Sequence, residues 1–447
     1  MITSPISSWP LSWGDIAQDI NAAVDIDSLS KGEEAALMRL RARIGDELRV
    51  GEPTADAGIR LAEKPQQIRS FQDTPRGEQE LWAAAEYTGE RFSIRLRGSL
   101  VNDDPFDDTD ARADGSYAAA AIGNWIVGVS LLDRWWGPGW GGSLILSNNA
   151  RPIPALVLER NFSSPFESRW LRWIGRWSTS VIWGELESER AVPNTRFFAW
   201  RVNFKPLRSL EVGLLRTAQW CGQGRLCDLD TFARVLAGQS NLDEGDSVDE
   251  ANQLAGVDLR WSPLRHRPIA FYGQFIGEDE AGGFPSRFLG QFGIETWGEF
   301  DHGAIQWRAF AEFADTTCQF NEASRVFNCA YRNQFYPTGY TYRGRSIGYG
   351  ADNDTRSLSA GIVVHSLGVG DVAVTARTLE VNRGGAEDLR HTISSLPLDV
   401  TDIDFQYRRK IDYADLLLSV GAERREDLAT GATDDSLRAF VSLDFRF

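Results

Sequence analysis

Residues 437–447 read Leu437-Arg438-Ala439-Phe440-Val441-Ser442-Leu443-Asp444-Phe445-Arg446-Phe447. Every second position, from Leu437 to Phe447, is apolar, and the residues between are mostly polar, which is the period of a strand with one apolar and one polar face. The same pattern recurs upstream. Phe92, Ile94, Leu96, Gly98 and Leu100 alternate with Arg91, Ser93, Arg95, Arg97 and Ser99. Ile305, Trp307, Ala309, Ala311 and Phe313 alternate with Gln306, Arg308, Phe310 and Glu312, and Ile403, Phe405 and Tyr407 with Asp402, Asp404, Gln406 and Arg408. Charge, arginine included, sits opposite an apolar face in segment after segment.

The connections alternate in length as well. Short ones fall at Thr88-Gly89, Gly123-Asn124, Lys205 to Ser209, Pro263 to Arg267, Glu299 to Gly303, Leu367 to Gly370 and Arg409 to Asp412. Longer polar ones run from Asn102 to Gly115, Arg134 to Pro152, Gln219 to Gln253, Glu278 to Ser286, Asp315 to Thr355, Asn382 to Asp399 and Arg425 to Asp434. Short turns at one end and long loops at the other define an all-β, antiparallel transmembrane β-barrel of the bacterial outer-membrane kind. With a first strand near Ala57 to Arg69, the count reaches about eighteen, an even number as such barrels require. A final aromatic on an alternating strand resembles the signal read by the barrel assembly machinery, with Phe445 and Phe447 as the residues concerned.

The first fifty-five residues follow a different period. Ser12-x-x-Asp15 and Ser30-x-x-Glu33 place a hydroxyl three residues before a carboxylate, the pattern of a capping box, and each precedes an apolar helical face. Leu37, Leu40, Ile44 and Leu48 form the second face. Helices are predicted over Ser12 to Val24 and Lys31 to Arg49, too short to stand without a surface to cover. The expected division is a helical plug over 1–55, on the periplasmic side, and a barrel over 56–447. A lumen of sixteen to eighteen strands conducts unless something fills it. An external docking role for the helices is the competing reading.

Composition limits the function. The 447 residues carry a net charge of −16, which argues against nucleic acid as a partner. With 42% hydrophobic residues, 11% aromatic, and 42 glycines against 17 prolines, there is ample apolar surface to bury, and disorder is excluded. Only Lys31, Lys64, Lys205 and Lys410 are lysines, so the positive charge is nearly all guanidinium, suited to bidentate pairing with carboxylates. The longest apolar stretch, Tyr117 to Leu132, is broken by Gly123, Asn124, Gly128 and Ser130 and is too short for a spanning helix. Met1 to Trp13 lacks a basic region followed by an apolar run, so a mature or trimmed chain is expected.

Cys221 with Cys227 and Cys318 with Cys329 are two close pairs without CxxC spacing, and only His266 and His302 lie between them. Two local disulfides in an oxidising compartment are expected rather than a zinc site; four reduced thiols are the bland alternative. No metal or cofactor is expected. His266, His302, His365 and His391 belong to no HExxH, and no GxSxG or Walker sequence is present, so no catalytic residue is assigned. The aspartates Asp103, Asp104, Asp107, Asp108, Asp110 and Asp114 lack the order of a calcium loop and read as a solvated face.

Residues 133–152 carry the densest pattern, Asp-Arg-Trp-Trp-Gly-Pro-Gly-Trp-Gly-Gly-Ser-Leu-Ile-Leu-Ser-Asn-Asn-Ala-Arg-Pro. Gly137, Gly139 and Gly142 satisfy GxGxxG, but Pro138 and the tryptophans do not open a helix after a buried strand, and the dinucleotide reading fails. Trp135, Trp136 and Trp140 offer faces on which sugars stack, while Asn148, Asn149, Arg134 and Arg151 match hydroxyls and carboxylates. The alternative is a Gly/Pro-rich loop folded inward for stability, with tryptophans as anchors. Trp170, Trp173, Trp177 and Trp183, beside Arg169, Arg172 and Arg176, read as anchors at the membrane interface.

At Asp133 to Trp140, at Ser143 to Pro152 and at the N-terminal Ser7 to Ser12, the chain resembles the Wzi family of capsule assembly proteins. The resemblance implies an eighteen-stranded outer-membrane barrel with a periplasmic helical plug. It further implies a lectin-like role in holding capsular polysaccharide at the surface of a Gram-negative cell. The function expected is a non-enzymatic, monomeric outer-membrane protein whose partners are a capsular or extracellular polysaccharide, outer-membrane lipid and the barrel assembly machinery. A porin or specific uptake channel is the alternative.

Overall fold

The computed structural model describes residues 2–22, 29–237, 251–264, 267–281, 284–366, 368–385 and 387–447. Eighteen antiparallel strands close into one barrel. In chain order they are β1 Pro53–Glu63, β2 Gln79–Thr88, β3 Phe92–Asn102, β4 Tyr117–Ile122, β5 Trp125–Ser130 and β6 Ala155–Arg160. There follow β7 Arg176–Glu185, β8 Arg196–Leu207, β9 Leu210–Trp220, β10 Ala251–Trp261, β11 Ile269–Ala281 and β12 Phe284–Phe300. The last are β13 Ile305–Asp315, β14 Arg356–Ser366, β15 Gly370–Val381, β16 Leu398–Ile411, β17 Ala414–Asp427 and β18 Thr433–Arg446. The short piece Ala111–Arg112 pairs with β3 next to β4 and belongs to the same stave.

The segment quoted first is the closing stave. β18 pairs with β1, Arg446 lying opposite Asp56 and Ala439 opposite Glu63. Its alternation is used as written: Leu437 and Phe445 are exposed on the outer wall, and Arg438 and Ser442 are buried inside. Inward-facing guanidinia are matched by carboxylates on neighbouring strands. Arg201 makes a two-pronged contact with Asp258 at 2.6 and 3.0 Å, and Arg377 one with Asp402 at 2.7 and 3.1 Å. Planar forks in a polar interior are better satisfied this way than flexible ammonium groups, which fits the scarcity of lysine.

Two expectations about the wall need correction, and one connection was not anticipated. The first strand runs over Pro53–Glu63 rather than Ala57 to Arg69, because Lys64 takes a positive φ of 56° and Pro65 cannot donate to a ladder. Residues 64–78 then turn into the lumen, where Ile68 and Arg69 are buried. Glu278 to Ser286 is not a long loop: β11 and β12 stay paired out to Ala281 opposite Phe284, backbone pairing overriding the low strand propensity of acidic residues. At the short-turn end, residues 161–175 form a longer connection with a short 3-10 turn at Arg172–Ile174, from which Trp170 and Trp173 project exposed. Trp173 meets the outward-facing Phe204 edge to face at 6.4 Å.

Both N-terminal helices start at the expected hydroxyls. α1 (Trp13–Asn21) is capped by Ser12, whose Oγ accepts from the Asp15 N–H. α2 (Lys31–Glu47) has the full reciprocal box between Ser30 and Glu33. Arg176 at the start of β7 holds α1 through Asp15 and Asp19, at 3.0 and 2.9 Å. α2 lies across the short-turn end. Ser30 Oγ bonds to Glu299 at 3.0 Å, Arg39 bonds to Gln306, and Glu47 pairs with Arg446 at 3.0 Å.

Candidate functional site

The approach to the long-loop end is decided by residues 131–154, which fold into the lumen. Trp135–Trp136 forms a two-residue ladder with Ser8–Trp9 of the N-terminal arm, so chain from the two ends of the barrel meets inside it. Ile6 and Ser7 are fixed there by their N–H groups, which donate to Glu211 at 3.0 and 2.8 Å. Phe71 from the inward turn after β1 is packed edge-on by Trp9, Trp135 and Trp140 at 5.3 to 5.4 Å. Glu312 on β13 accepts from the Trp140 and Gly141 N–H groups at 2.8 and 3.0 Å. Gln274 bonds to the Leu144 N–H and the Trp136 carbonyl at 2.7 and 2.8 Å. Gln291 donates to the Gly142 carbonyl at 2.8 Å.

Each residue expected to meet a sugar is engaged in this lid. Trp135 and Trp136 are 2% and 0% exposed, and the Trp135 Nε1–H donates to Gly139 O at 3.0 Å. Trp140 is half-buried and stacks on Phe310 at 5.5 Å. Asn149 is buried and donates to Ser346 O at 3.0 Å, and Asn148 donates to Phe71 O at 3.3 Å. Arg134 pairs with Glu159. Arg151 grips Asp114 at 2.8 and 2.9 Å and Asp107 at 2.5 Å. Asp104 likewise pairs with Arg112 at 3.0 Å, so three of the six aspartates read as a solvated face are instead internal ion-pair partners. Charge balance inside the barrel outweighs the solvation that their spacing suggested.

The long loop 316–355 lies over this lid. Tyr331 and Tyr340 are buried, and their hydroxyls donate to Leu144 O and Ile145 O at 2.6 and 2.8 Å. The structure joins Cys318 to Cys329 within this loop and Cys221 to Cys227 beyond β9, with Cα separations of 5.9 and 4.8 Å. Arg332 ties the loop to its neighbours through Asp352 at 3.2 Å, Asp388 at 3.1 Å and Asn353 at 2.9 Å. Burial alone would raise the Asp352 carboxyl, but Arg332, His391 and the Thr392 N–H outweigh it and hold it at about 2. At Asp354 the balance is reversed: the Asn328 N–H at 2.7 Å and Arg332 do not offset burial, which pushes the carboxyl up to about 6, and its Oδ1 is buried without a partner. Burial also lowers His391, whose ring contacts Asn353 O at 3.1 Å. His365 pairs with Asp371, and His266 and the side chain of His302 lie outside the described residues.

Beside this loop, a cavity of about 700 Å³ opens at the long-loop end. Asn252 and Arg332 contribute to its floor, and Phe327, Asn328, Gln334, Arg287 and Arg390 to its walls. Phe327, Gln334 and Arg287 are exposed, and Arg390 leans on Asp388 at 3.0 Å with its side chain 46% exposed. Amides and guanidinia around one aromatic face can take hydroxyls, ring oxygens and carboxylates of a glycan. These residues carried no motif, although Asn328, Asn333 and Gln334 form an amide-rich run around Cys329, the end of the disulfide-closed segment 318–329. Among the described residues, no group of His, Cys, Asp and Glu is arranged to hold a metal ion.

Comparison with known proteins places this architecture. The family model of the capsule assembly protein Wzi matches residues 61–434. An uncharacterized 55.8 kDa protein in the cps region of Klebsiella pneumoniae is 30% identical over 317 residues, which are 70% of this chain. The match spans about 60% of that relative's length. Among solved structures, Wzi of Escherichia coli, an outer membrane carbohydrate-binding β-barrel involved in group 1 capsule assembly, superposes with a TM-score of 0.86 at 24% identity. The superposition covers 100% of this chain and 95% of that one, and the likeness is one of fold.

Proposed function

The chain belongs to the Wzi family of capsule assembly proteins, and from that premise we propose that it is a non-enzymatic outer-membrane lectin. The long loops face outside, the helices face the periplasm, and an exported capsular or extracellular polysaccharide is held at the long-loop end. The observation that carries the reading is the cavity at Phe327, Asn328, Gln334 and Arg390, an open amide- and guanidinium-lined site above a lumen filled by folded chain. A lectin needs such a face and no passage beneath it. The sugar-contact role moves accordingly from residues 134–151 to this pocket, and the lid formed by Trp135, Trp136 and Trp140 becomes its support. In this reading α1, α2 and the N-terminal arm are the plug.

The test is binding of purified host polysaccharide to the barrel in vesicles. Phe327→Ala with Gln334→Ala is expected to weaken it on the order of tenfold, the scale of one lost stacking or hydrogen-bonding group. Unchanged binding would remove the pocket from the account. A second reading, slow diffusion of small solutes, is favoured by a cavity of about 570 Å³ along β1 to β3, lined by Arg60, Arg95, Arg97, Asp56, Glu80 and Asp114. It requires steady conductance in planar bilayers, whereas the lectin reading expects a closed barrel.

A further inference from the structure

Part of the connection after β9 packs on the outside of the barrel wall. Its helix α3 (Leu229–Ala237) buries Val235 and sets Phe232 among Trp183, Phe198 and Trp220, at ring separations of 4.7, 5.3 and 4.9 Å. Those three aromatics face outward from β7, β8 and β9. Arg216, also on the outer wall, donates to the Val235 and Leu236 carbonyls at 2.8 and 3.3 Å. A helix end laid in water needs no such cap, whereas one laid against an apolar medium does. The remaining face of the segment exposes Leu226, Leu229 and Leu236, Leu229 to 84%.

Next to the Cys221–Cys227 disulfide is a cleft of about 580 Å³ on the same outer wall. Its floor is a cross-strand row, Val129 opposite Leu156 and Leu156 opposite Trp183, continuous with the apolar exterior of the barrel. Val129 and Leu156 are 49% and 60% exposed. Its rim is the Arg196–Glu185 ion pair, with side chains 42% and 38% exposed. Aromatic girdles mark the level at which lipid headgroups meet their chains; Trp220 pairs directly opposite Arg196, and Trp183 lies two residues along β7 from Glu185, the other partner of Arg196.

We propose that this cleft binds one lipid of the outer leaflet, its acyl chain on Val129, Leu156 and Trp183 and its phosphate at Arg196. The Cys221–Cys227 disulfide and Trp220 form the fixed wall of the site. The proposal rests on the outer-membrane reading above. An apolar floor continuous with the lipid-facing wall favours a chain over a protein partner, and the guanidinium at the rim favours a phosphate over an uncharged headgroup.

The experiment uses the whole barrel extracted in mild detergent and weighed with its bound lipid by native mass spectrometry. The wild type is expected to retain one phosphorylated lipid. Leu156→Trp, which fills the cleft, is expected to retain it on the order of tenfold less, the equivalent of about 1.4 kcal/mol. Leu96→Trp, on the outer wall away from the cleft, is the control and retains it. After delipidation, re-added phosphatidic acid is expected to outcompete diacylglycerol of the same chains, and Arg196→Gln is expected to erase that preference. Equal retention in the Leu156→Trp and Leu96→Trp proteins, no retained lipid, or a co-purifying protein in its place overturns the proposal. Fractionation of the same strains separates the two readings: a barrel absent from the outer membrane sinks both, and one present there without the lipid sinks only this site.

Discussion

Replacing Glu312 by alanine removes the acceptor that holds the lid at its deepest point. Its carboxylate is 4% exposed and receives the Trp140 and Gly141 N–H groups, Gln291 Nε2 at 2.6 Å and the Tyr272 hydroxyl at 3.1 Å. A hydrogen bond to a buried charged group is worth about 1.5–3 kcal/mol, and the four are not additive because they share one carboxylate. Since the deletion also strands two backbone donors, each costing about 1–3 kcal/mol when left unsatisfied, a total of about 3–5 kcal/mol is expected. That free energy acts on the lid, because the strand itself keeps its ladder to β12 and β14. Amide hydrogen exchange measured in micelles should accelerate at Trp140 and Gly141 by roughly a hundredfold or more. Exchange in β16 to β18 should not change, and conductance in planar bilayers should rise. Glu312→Gln keeps one acceptor oxygen and should fall between. Unchanged exchange at Trp140 and Gly141, or a loss spread evenly over all strands, would refute the reasoning.

Other perturbations have equally definite outcomes. Asp354 holds its proton up to about 6 in the folded loop, so its contribution to stability is full below its ordinary value of 3.8 and is lost as pH rises through about 6. Asp354→Asn should therefore stabilise loop 316–355 by about 1–3 kcal/mol at pH 7.5 and hardly at pH 3.5, read as local exchange protection. Asp352 works in the opposite sense: its contribution is present above 3.8 and disappears as pH falls towards about 2, so Asp352→Asn costs protection at pH 7.5. Opening the Cys318–Cys329 bridge by a double Cys→Ala change releases a closure of 11 residues and should cost the loop about 3 kcal/mol. Polysaccharide binding should weaken with it, while the barrel melts as before. Trp136→Ala should cost the lid about 3–5 kcal/mol through the cavity it leaves, and its effect should appear in exchange and conductance.

The wall of the barrel is legible in the sequence because its rules are local. A period of two in Leu437 to Phe447 specifies which residues face out, and the hydroxyl–carboxylate pairs at Ser12 and Ser30 fix where the helices start. The first strand is placed too far along by pattern alone, since Ile68 and Arg69 offer another apolar–charged pair although Lys64 and Pro65 have already turned the chain inward. The lid is illegible for a different reason. Tryptophan, asparagine and arginine suit both an exposed sugar platform and a satisfied interior, and the partners that decide between them lie far along the chain. Gln274 is 130 residues from Leu144, Gln291 is 149 from Gly142, and Glu312 is 172 from Trp140. No window of sequence contains both sides of those bonds. The pocket at Phe327 and Gln334 is hidden in the same way, being assembled from β10, β11, β12 and two loops.

The central claim, that the long-loop end holds polysaccharide, is tested most directly by deleting the gene in its host. Complementation then uses either the wild-type chain or the Phe327→Ala, Gln334→Ala variant, with surface-attached, released and total polysaccharide measured in each strain. The account predicts unchanged total, movement of polysaccharide from cell to medium on deletion, recovery with the wild type, and failure of the variant despite normal barrel levels in the outer membrane. Polysaccharide that stays attached after deletion, or full recovery with the variant, would contradict it.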